Sequence, residues 1–326
     1  MIGKYWDWRL NTENKVYKER RNMGISSKVV TVIVTYNRKT LLVECIESLL
    51  SQKSDALSDV LVIDNASTDG TKETIQKFID NKSIKYINTG ANLGGAGGFE
   101  RGVREAAKGD YDYLWIMDDD TIPTESALQE LLNASARINN HGFLSSQALW
   151  TDGSICTMNV QRKDIMRKLD LSEFNKDLIP VQYATFVSLF VPMAVVREVG
   201  APIGEFFIWG DDWEYTRRIS KKFPSYVVTA SKVIHKTGTN IGCNISDDVP
   251  ERIQRYKYGF RNDAYLGRQD GLKGRAYRWL KVGKNITKVL LKSKTAQKER
   301  LIVIFEGVRE GRTFNPESKP IEGIIK

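Results

Sequence analysis

Three aspartates in a row, Asp118, Asp119 and Asp120, stand directly behind the apolar run Tyr113-Leu114-Trp115-Ile116-Met117. Like charges this close repel one another unless something positive sits among them, and carboxylate-rich sites suit Mg2+ or Mn2+. The chemistry indicated is a divalent cation carrying a phosphorylated ligand; the plain alternative is a solvated acidic turn ahead of Pro123. A second acidic group lies in Trp209-Gly210-Asp211-Asp212-Trp213-Glu214-Tyr215. Acids at a helix start serve as caps and dipole partners. Aspartates wedged between tryptophans also occupy a partly desolvated groove, where burial raises a carboxylate toward the range of a general base. Indole faces, here Trp209 and Trp213, suit the apolar face of a sugar ring. His235 follows a predicted strand and precedes Lys236-Thr237-Gly238. A lone histidine is more often structural, yet an imidazole beside two carboxylates completes a site for Mn or Mg. His141 lacks such a context and reads as structural.

These residues need elements to carry them. Val29-Val30-Thr31-Val32-Ile33-Val34-Thr35 is a β-branched run expected for a strand buried on both faces, and Val60–Ile63, Ile84–Ile87 and residues 113–117 repeat the pattern. Helical spacing follows at Leu41–Leu50, from about Thr71 to Ile79, and from about Phe99 to Lys108. Strands alternating with helices of this length imply an α/β fold, a mostly parallel sheet sandwiched by helices. Its carboxyl edge, where such sheets bind ligands, receives the aspartate triplet and Asp64. Asp64 is read as a ligand contact, whereas Asp69 reads as a helix cap. The loop Asn92-Leu93-Gly94-Gly95-Ala96-Gly97-Gly98 is a weak phosphate-cradle signal that gains value only from lying on this edge. After about residue 140 the alternation ends. Gly142–Leu144, Ser154–Met158 and Thr185–Val191 read as strands of a mixed region, with helices after Pro192 and near Asp211. Tyr226–Thr229 and Lys232–His235 read as a final edge hairpin or strand pair.

The chain has 326 residues, 41% of them hydrophobic, enough for one large α/β domain or a core with an appendage. No run approaches the roughly eighteen apolar residues of a transmembrane helix, and the first residues lack the apolar core of a signal peptide. Cys45, Cys156 and Cys243 form no CxxC pair and fit reduced thiols of a cytoplasmic protein. The net charge of +9 concentrates between Arg252 and Arg300. No zinc-finger, RNA-recognition or helix-turn-helix signature accompanies it, which leaves phosphorylated substrates or anionic lipid ahead of nucleic acid.

The ordered set Val32–Arg38, Val62–Gly70, Asn92–Gly98 and Met117–Asp120 resembles the successive motifs of inverting family-2 glycosyltransferases with a GT-A (Rossmann-like) fold, over roughly residues 29–240. Trp209–Tyr215 followed by His235 resembles the galactofuranosyl- and rhamnosyltransferase branch. The resemblance implies that Thr35, Tyr36, Asn37, Arg38, Asp64, Asn92 and Gly95 lie on the donor side. Asp118 and Asp120 would flank the metal with His235 as the remaining ligand, and Asp119 would face the donor sugar. Asp212 falls on the base, with Asp211 and Glu214 orienting acceptor or base. The reaction implied is metal-dependent transfer of galactofuranose from UDP-galactofuranose to a glycan or lipid-linked glycan in cell-surface polysaccharide biosynthesis. Gly210 and Trp213 depart from the usual pattern, so regiochemistry does not carry over.

Three regions are expected: an appendage over 1–27, a catalytic domain over 28–245 and a basic, mainly helical region over 246–326. The catalytic domain divides into a nucleotide half to residue 120 and an acceptor half after it. Leu280, Ile286, Val289, Leu290 and Leu291 interleave with Lys281, Lys284, Lys288, Lys292 and Lys294, so residues 276–300 read as an amphipathic segment on anionic membrane. That places the protein on the inner face of the cell membrane. The alternatives are a solvated helix packed on the core or a homo-oligomer contact. Rival functions are rhamnosyl transfer from dTDP-rhamnose, nucleotide-sugar binding without catalysis, and nucleotidyl transfer, which would need a basic glycine loop near the amino terminus.

Overall fold

β-Branched residues cannot all share one face of an extended chain, and β1 (Val29–Thr35) uses both. Val30, Val32 and Val34 enter one core and Val29 and Ile33 the opposite one. A computed structural model of the chain describes residues 27–138 and 140–321. The expected appendage with Tyr5, Trp6 and Trp8 lies outside the described residues, Ser27 excepted.

Helix α1 (Lys39–Leu50) leads to β2 (Leu57–Asp64), and two short helical turns lead on to β3 (Lys85–Asn88). Helix α2 (Gly94–Ala106) then precedes β4 (Tyr113–Asp118). These four strands are parallel in the order β3-β2-β1-β4. Helix α1 covers the face of Val29 and Ile33 through Leu42, Ile46 and Leu49, and α2 covers the other through Phe99 and Val103. The glycine segment differs from expectation: the helix starts at Gly94 instead of near Phe99. A Cβ on Gly98 would lie 2.5 Å from Val34 Cγ1, so glycine here lets the helix backbone press against β1.

Next come β5 (Thr121–Pro123), α3 (Ala127–Arg137), β6 (Leu144–Leu149), β7 (Leu178–Pro180), β8 (Leu189–Pro192), α4 (Met193–Val199), α5 (Asp211–Ser220) and β9 (Tyr226–His235). They continue the sheet as β4-β8-β6-β9-β5, with β7 also paired to β9. The expected terminal pair at 226–235 is instead one continuous, internal strand. Its register against β6 slips between Ser146 and Gln147, the break that the sequence pattern mimics with two strands. Residues 154–158 are likewise no strand: Ile155 bridges Leu149 and a helical turn follows at Thr157–Asn159. Phe186 and Val187 are buried apolar residues outside any strand, which periodicity cannot separate from a strand's own.

The basic region forms three helices, α6 (Arg255–Gln269), α7 (Gly271–Lys292) and α8 (Gln297–Glu310), around Tyr256, Phe260, Val282, Val289, Val303 and Ile304. The expected amphipathic segment at 276–300 is therefore broken between α7 and α8. Val289 is core, Ile286 packs against it, and Lys281 pairs with Asp263. Buried Arg300 donates to the carbonyls of Thr295, Ile245 and Asp248. Part of the positive excess is thus structural. No helix among the described residues is long and apolar enough to cross a membrane.

Candidate active site

Strand β4 delivers Asp118 to the sheet edge, and the chain then reverses into β5. Antiparallel pairing sets Thr121 opposite His235, and Lys236 N donates to Asp120 O at 2.8 Å. Asp118, Asp120 and His235 thereby bring one ligand atom each within 4.8 Å of one another. Two carboxylates and an imidazole at that spacing fit Mg2+ or Mn2+ by donor chemistry and charge. Asp119 turns the other way: it accepts from Thr35 Oγ1 at 2.7 Å and Arg38 Nη1 at 3.3 Å. Each of its oxygens thus has one protein donor. Arg38 also donates to Asp120 Oδ2 at 2.6 Å, supplying one positive charge that the triplet requires.

His235 supplies the other. Its Nε2 lies 3.0 Å from Asp120 Oδ1 and its Nδ1 2.8 Å from Asn159 Oδ1, two acceptors that favour the imidazolium. Burial opposes that charge, but the bond to Asp120 and the surrounding carboxylates raise its pKa to about 10. Burial and then Asp120 push Asp118 up to about 7. Burial raises Asp119 to about 6 despite Arg38. For Asp120, burial is outweighed by His235 and Arg38, which hold it below the ordinary carboxylate range. Asn159 was not foreseen; nothing in a lone asparagine before a strandless stretch marks it, and only the fold brings it to His235.

The second acidic group enters from α5. Its approach loop carries left-handed backbone at Phe207 (φ 64°), Trp209 (φ 64°) and Gly210 (φ 87°). Glycine is the ordinary residue for such a conformation; Phe and Trp are not. Buried Asn262 of α6 stabilises the loop, its Nδ2 donating to the carbonyls of Phe206, Ile208 and Trp209 at 2.9, 3.0 and 2.8 Å. Asn262 is a further residue that sequence reasoning missed.

Asp211 and Asp212 open α5, with Gly210 as its cap. Burial raises Asp211 to about 6. Burial, then Asp211 and more weakly Asp118, lift Asp212 well above the usual carboxylate range. Asp118, Asp211, Asp212 and His235 line one cavity of about 480 Å3, shared with Gly95, Trp209 and Trp213. Trp209 leans on Tyr256 and Trp213 on Tyr183, with ring centroids 4.9 and 5.6 Å apart. Glu214 departs from expectation. It is buried and held by Arg218 Nη2 at 2.8 Å, an ion pair that also ties down the carbonyls of Val199 and Ala201.

The remaining donor-side candidates gather on the β1 and β2 ends without lining this cavity. Asn37 ties the two loops together, its N donating to Ser67 Oγ at 2.9 Å and its Oδ1 accepting from Thr68 N at 2.7 Å. Tyr36 is exposed. Asp64 is buried, accepting from Ser67 N at 2.8 Å and Tyr86 Oη at 2.6 Å. Asn92 Oδ1 accepts from Gly94 N at 2.9 Å, fixing the entry to α2. Asp69 does cap the next turn, through Thr71 N at 3.1 Å.

A parallel first half continued by strands of mixed direction, with acids at the β4 end, is the GT-A glycosyltransferase fold. Residues 30–188 match the model of Glycosyl transferase family 2. That match spans just under half of the chain. The chain is 27% identical over 271 residues to "Galactofuranosyltransferase GlfT1" of Mycolicibacterium smegmatis, covering 78% of this chain and 88% of that one. Among solved structures, the mannosyltransferase PcManGT from Pyrobaculum calidifontis, in complex with GDP-Man and Mn2+, superposes with a TM-score of 0.54. That match has 14% identity and covers 97% of this chain and 87% of the other. GalNAc-T7 with UDP, GalNAc and Mn2+ gives a TM-score of 0.56 at 15% identity, over 76% and 51% of the two chains.

Proposed function

We propose that the protein transfers galactofuranose from UDP-galactofuranose to a hydroxyl of a glycan acceptor, lipid-linked, with inversion at the anomeric carbon. One observation carries the reading: a single cavity is lined both by Asp118 and His235 and by the Asp211–Asp212 pair. The likeness to the galactofuranosyltransferase supports the choice of donor.

In this reading Asp212 removes the acceptor proton as the hydroxyl oxygen attacks the anomeric carbon, and the nucleoside diphosphate leaves with the bonding electrons. Burial suits Asp212 to that role because it raises proton affinity toward working pH. Asp211 orients the acceptor or the base, and the walls of Trp209 and Trp213 take the apolar face of a sugar and exclude water. Asp118, Asp120 and His235 hold Mn2+ or Mg2+, whose chemistry is to offset charge on the departing diphosphate. Thr35, Arg38 and Asp119 brace the donor edge, with Tyr36, Asn37, Asp64 and Asn92 around the nucleotide.

The location proposed is the cytoplasmic membrane surface. Trp279, Leu280, Leu290 and Leu291 of α7, with Ile302 and Phe305 of α8, are exposed among lysines. Residues eleven apart, 279 and 290 or 280 and 291, share a helix face, as a surface lying on lipid requires.

The test is UDP release from UDP-galactofuranose with Mn2+, then with EDTA, beside dTDP-rhamnose as the competing donor. Release should stop with EDTA. Asp212→Asn should lose about 10^2- to 10^4-fold in turnover while keeping donor affinity. Full turnover by Asp212→Asn, or preference for dTDP-rhamnose, would overturn the assignment.

A further inference from the structure

The cavity does not end at the family 2 domain. The C-terminal helices contribute a wall of their own: Tyr256, Phe260 and Asp263 of α6, and Lys281 and Asn285 of α7. Lys281 Nζ lies 2.8 Å from Asp263 Oδ2. Asn285 Nδ2 donates one N–H to the carbonyl of Lys281 at 2.8 Å, leaving its second N–H and its carbonyl oxygen to meet a ligand. The aromatic floor continues across the boundary, because Trp209 of the core leans on Tyr256 of α6.

We propose that this wall is a second acceptor subsite, recognising a neutral sugar residue of the acceptor glycan next to the one that reacts. The proposal rests on the glycosyl-transfer reading above. Chemistry selects a sugar over an anion. Asp263 neutralises Lys281, so the pair offers no free cation for a phosphate. It offers a donor and an acceptor side by side, the combination that vicinal hydroxyls satisfy. Tyr256, Phe260 and Trp209 supply apolar ring surface for the C–H face of the same sugar. Lys281, Asp263 and Asn285 therefore act on acceptor affinity. The donor acids and the base come from other elements, β4, β9 and α5.

The test uses the full chain with Mn2+ and UDP-galactofuranose, and octyl glycosides of one and two galactofuranose residues as acceptor probes. Lys281→Met and Asp263→Asn should raise KM for the disaccharide probe about tenfold or more, and Asn285→Ala by a smaller factor. The monosaccharide probe, Kd for UDP and acceptor-independent hydrolysis should stay within about twofold. Asn285→Ala removes no charge pair, so it keeps the test valid should Lys281→Met fold poorly. Saturation-transfer NMR with the disaccharide probe adds a binding readout that needs no turnover, and the variants should lose that signal. Unchanged KM and unchanged saturation in all three variants overturn the subsite. So does a parallel fall in UDP affinity, which would mark a merely structural ion pair. If the unaltered protein binds the probe through these residues yet releases no UDP, the transfer reading falls and the subsite stands.

Discussion

Changing pH should change how tightly the protein holds Mn2+, by an amount set by His235. In the metal-free protein both imidazole nitrogens face oxygen acceptors, Asp120 and Asn159, and the pKa stands at about 10. Ligation needs the Nε2 lone pair, so binding must expel a proton. At about pH 7.5 the displacement is roughly 10 − 7.5 = 2.5 units, or about 3 kcal/mol, a weakening near 300-fold against the deprotonated site. The sign follows from the raised value: the proton stays bound below about pH 10, so affinity climbs about tenfold per unit as pH rises toward it. Asp118, at about 7, adds roughly a quarter of a proton at about pH 7.5 and three quarters at about pH 6.5. Titration calorimetry of MnCl2 in Tris, HEPES and PIPES reads the proton count as the slope of heat against buffer ionisation enthalpy. Release should exceed one proton at about pH 7.5 and grow as pH falls to about 6.5, and His235→Gln should lower it, by less than one because loss of the imidazolium raises Asp118. No measurable Mn2+ binding, heat independent of buffer, or an unchanged count in His235→Gln would refute the reasoning.

Asn262→Leu strips the Phe206, Ile208 and Trp209 carbonyls of their shared donor. It should cost about 1–3 kcal/mol by urea denaturation and lower turnover; unchanged stability would remove Asn262 as the loop's clamp. Burial depresses His141 to about 4, so the unfolded chain binds its proton first as pH falls. Relative to His141→Gln, the unaltered protein should lose up to about 3 kcal/mol between about pH 6.5 and 4 and nothing more below, and a constant difference would contradict it. The full chain should float with phosphatidylglycerol vesicles, less so in high salt, and the Trp279→Ser/Leu290→Ser/Leu291→Ser triple variant should not. Failure of the unaltered chain to float removes the membrane surface.

What was legible in the sequence follows from what local pattern encodes. Strands β1, β2 and β4 announce themselves because a central parallel strand is apolar on both faces, and their ends place Asp64 and Asp118 on one edge. The Asp118–Asp120 and Asp211–Asp212 groups stand out because acids in apolar or aromatic company are costly without a task. The errors arise where distance along the chain conceals contact. Val289 and Lys281 look like neighbours on one amphipathic stripe, but α7 has partners on two sides, so the valine enters the bundle and the lysine meets Asp263.

Asn262 is the instructive omission. Left-handed Phe207 and Trp209 carry backbone strain that the loop itself does not relieve, and the compensating donor comes from α6, some fifty residues later. The C-terminal helices thus help set the backbone from which Asp211 and Asp212 emerge, as well as lining part of the cavity. Separating residues 30–188 from those helices would leave the Asp118–Asp120 carboxylates in place. It would remove the acid pair on α5, His235 on β9 and the clamp on the loop between them. The Asp118–Asp120 acids and the Asp211–Asp212 pair therefore occupy different lengths of this chain, and on the proposed reading a variant series along α6 and α7 should move acceptor kinetics while leaving UDP affinity where it was.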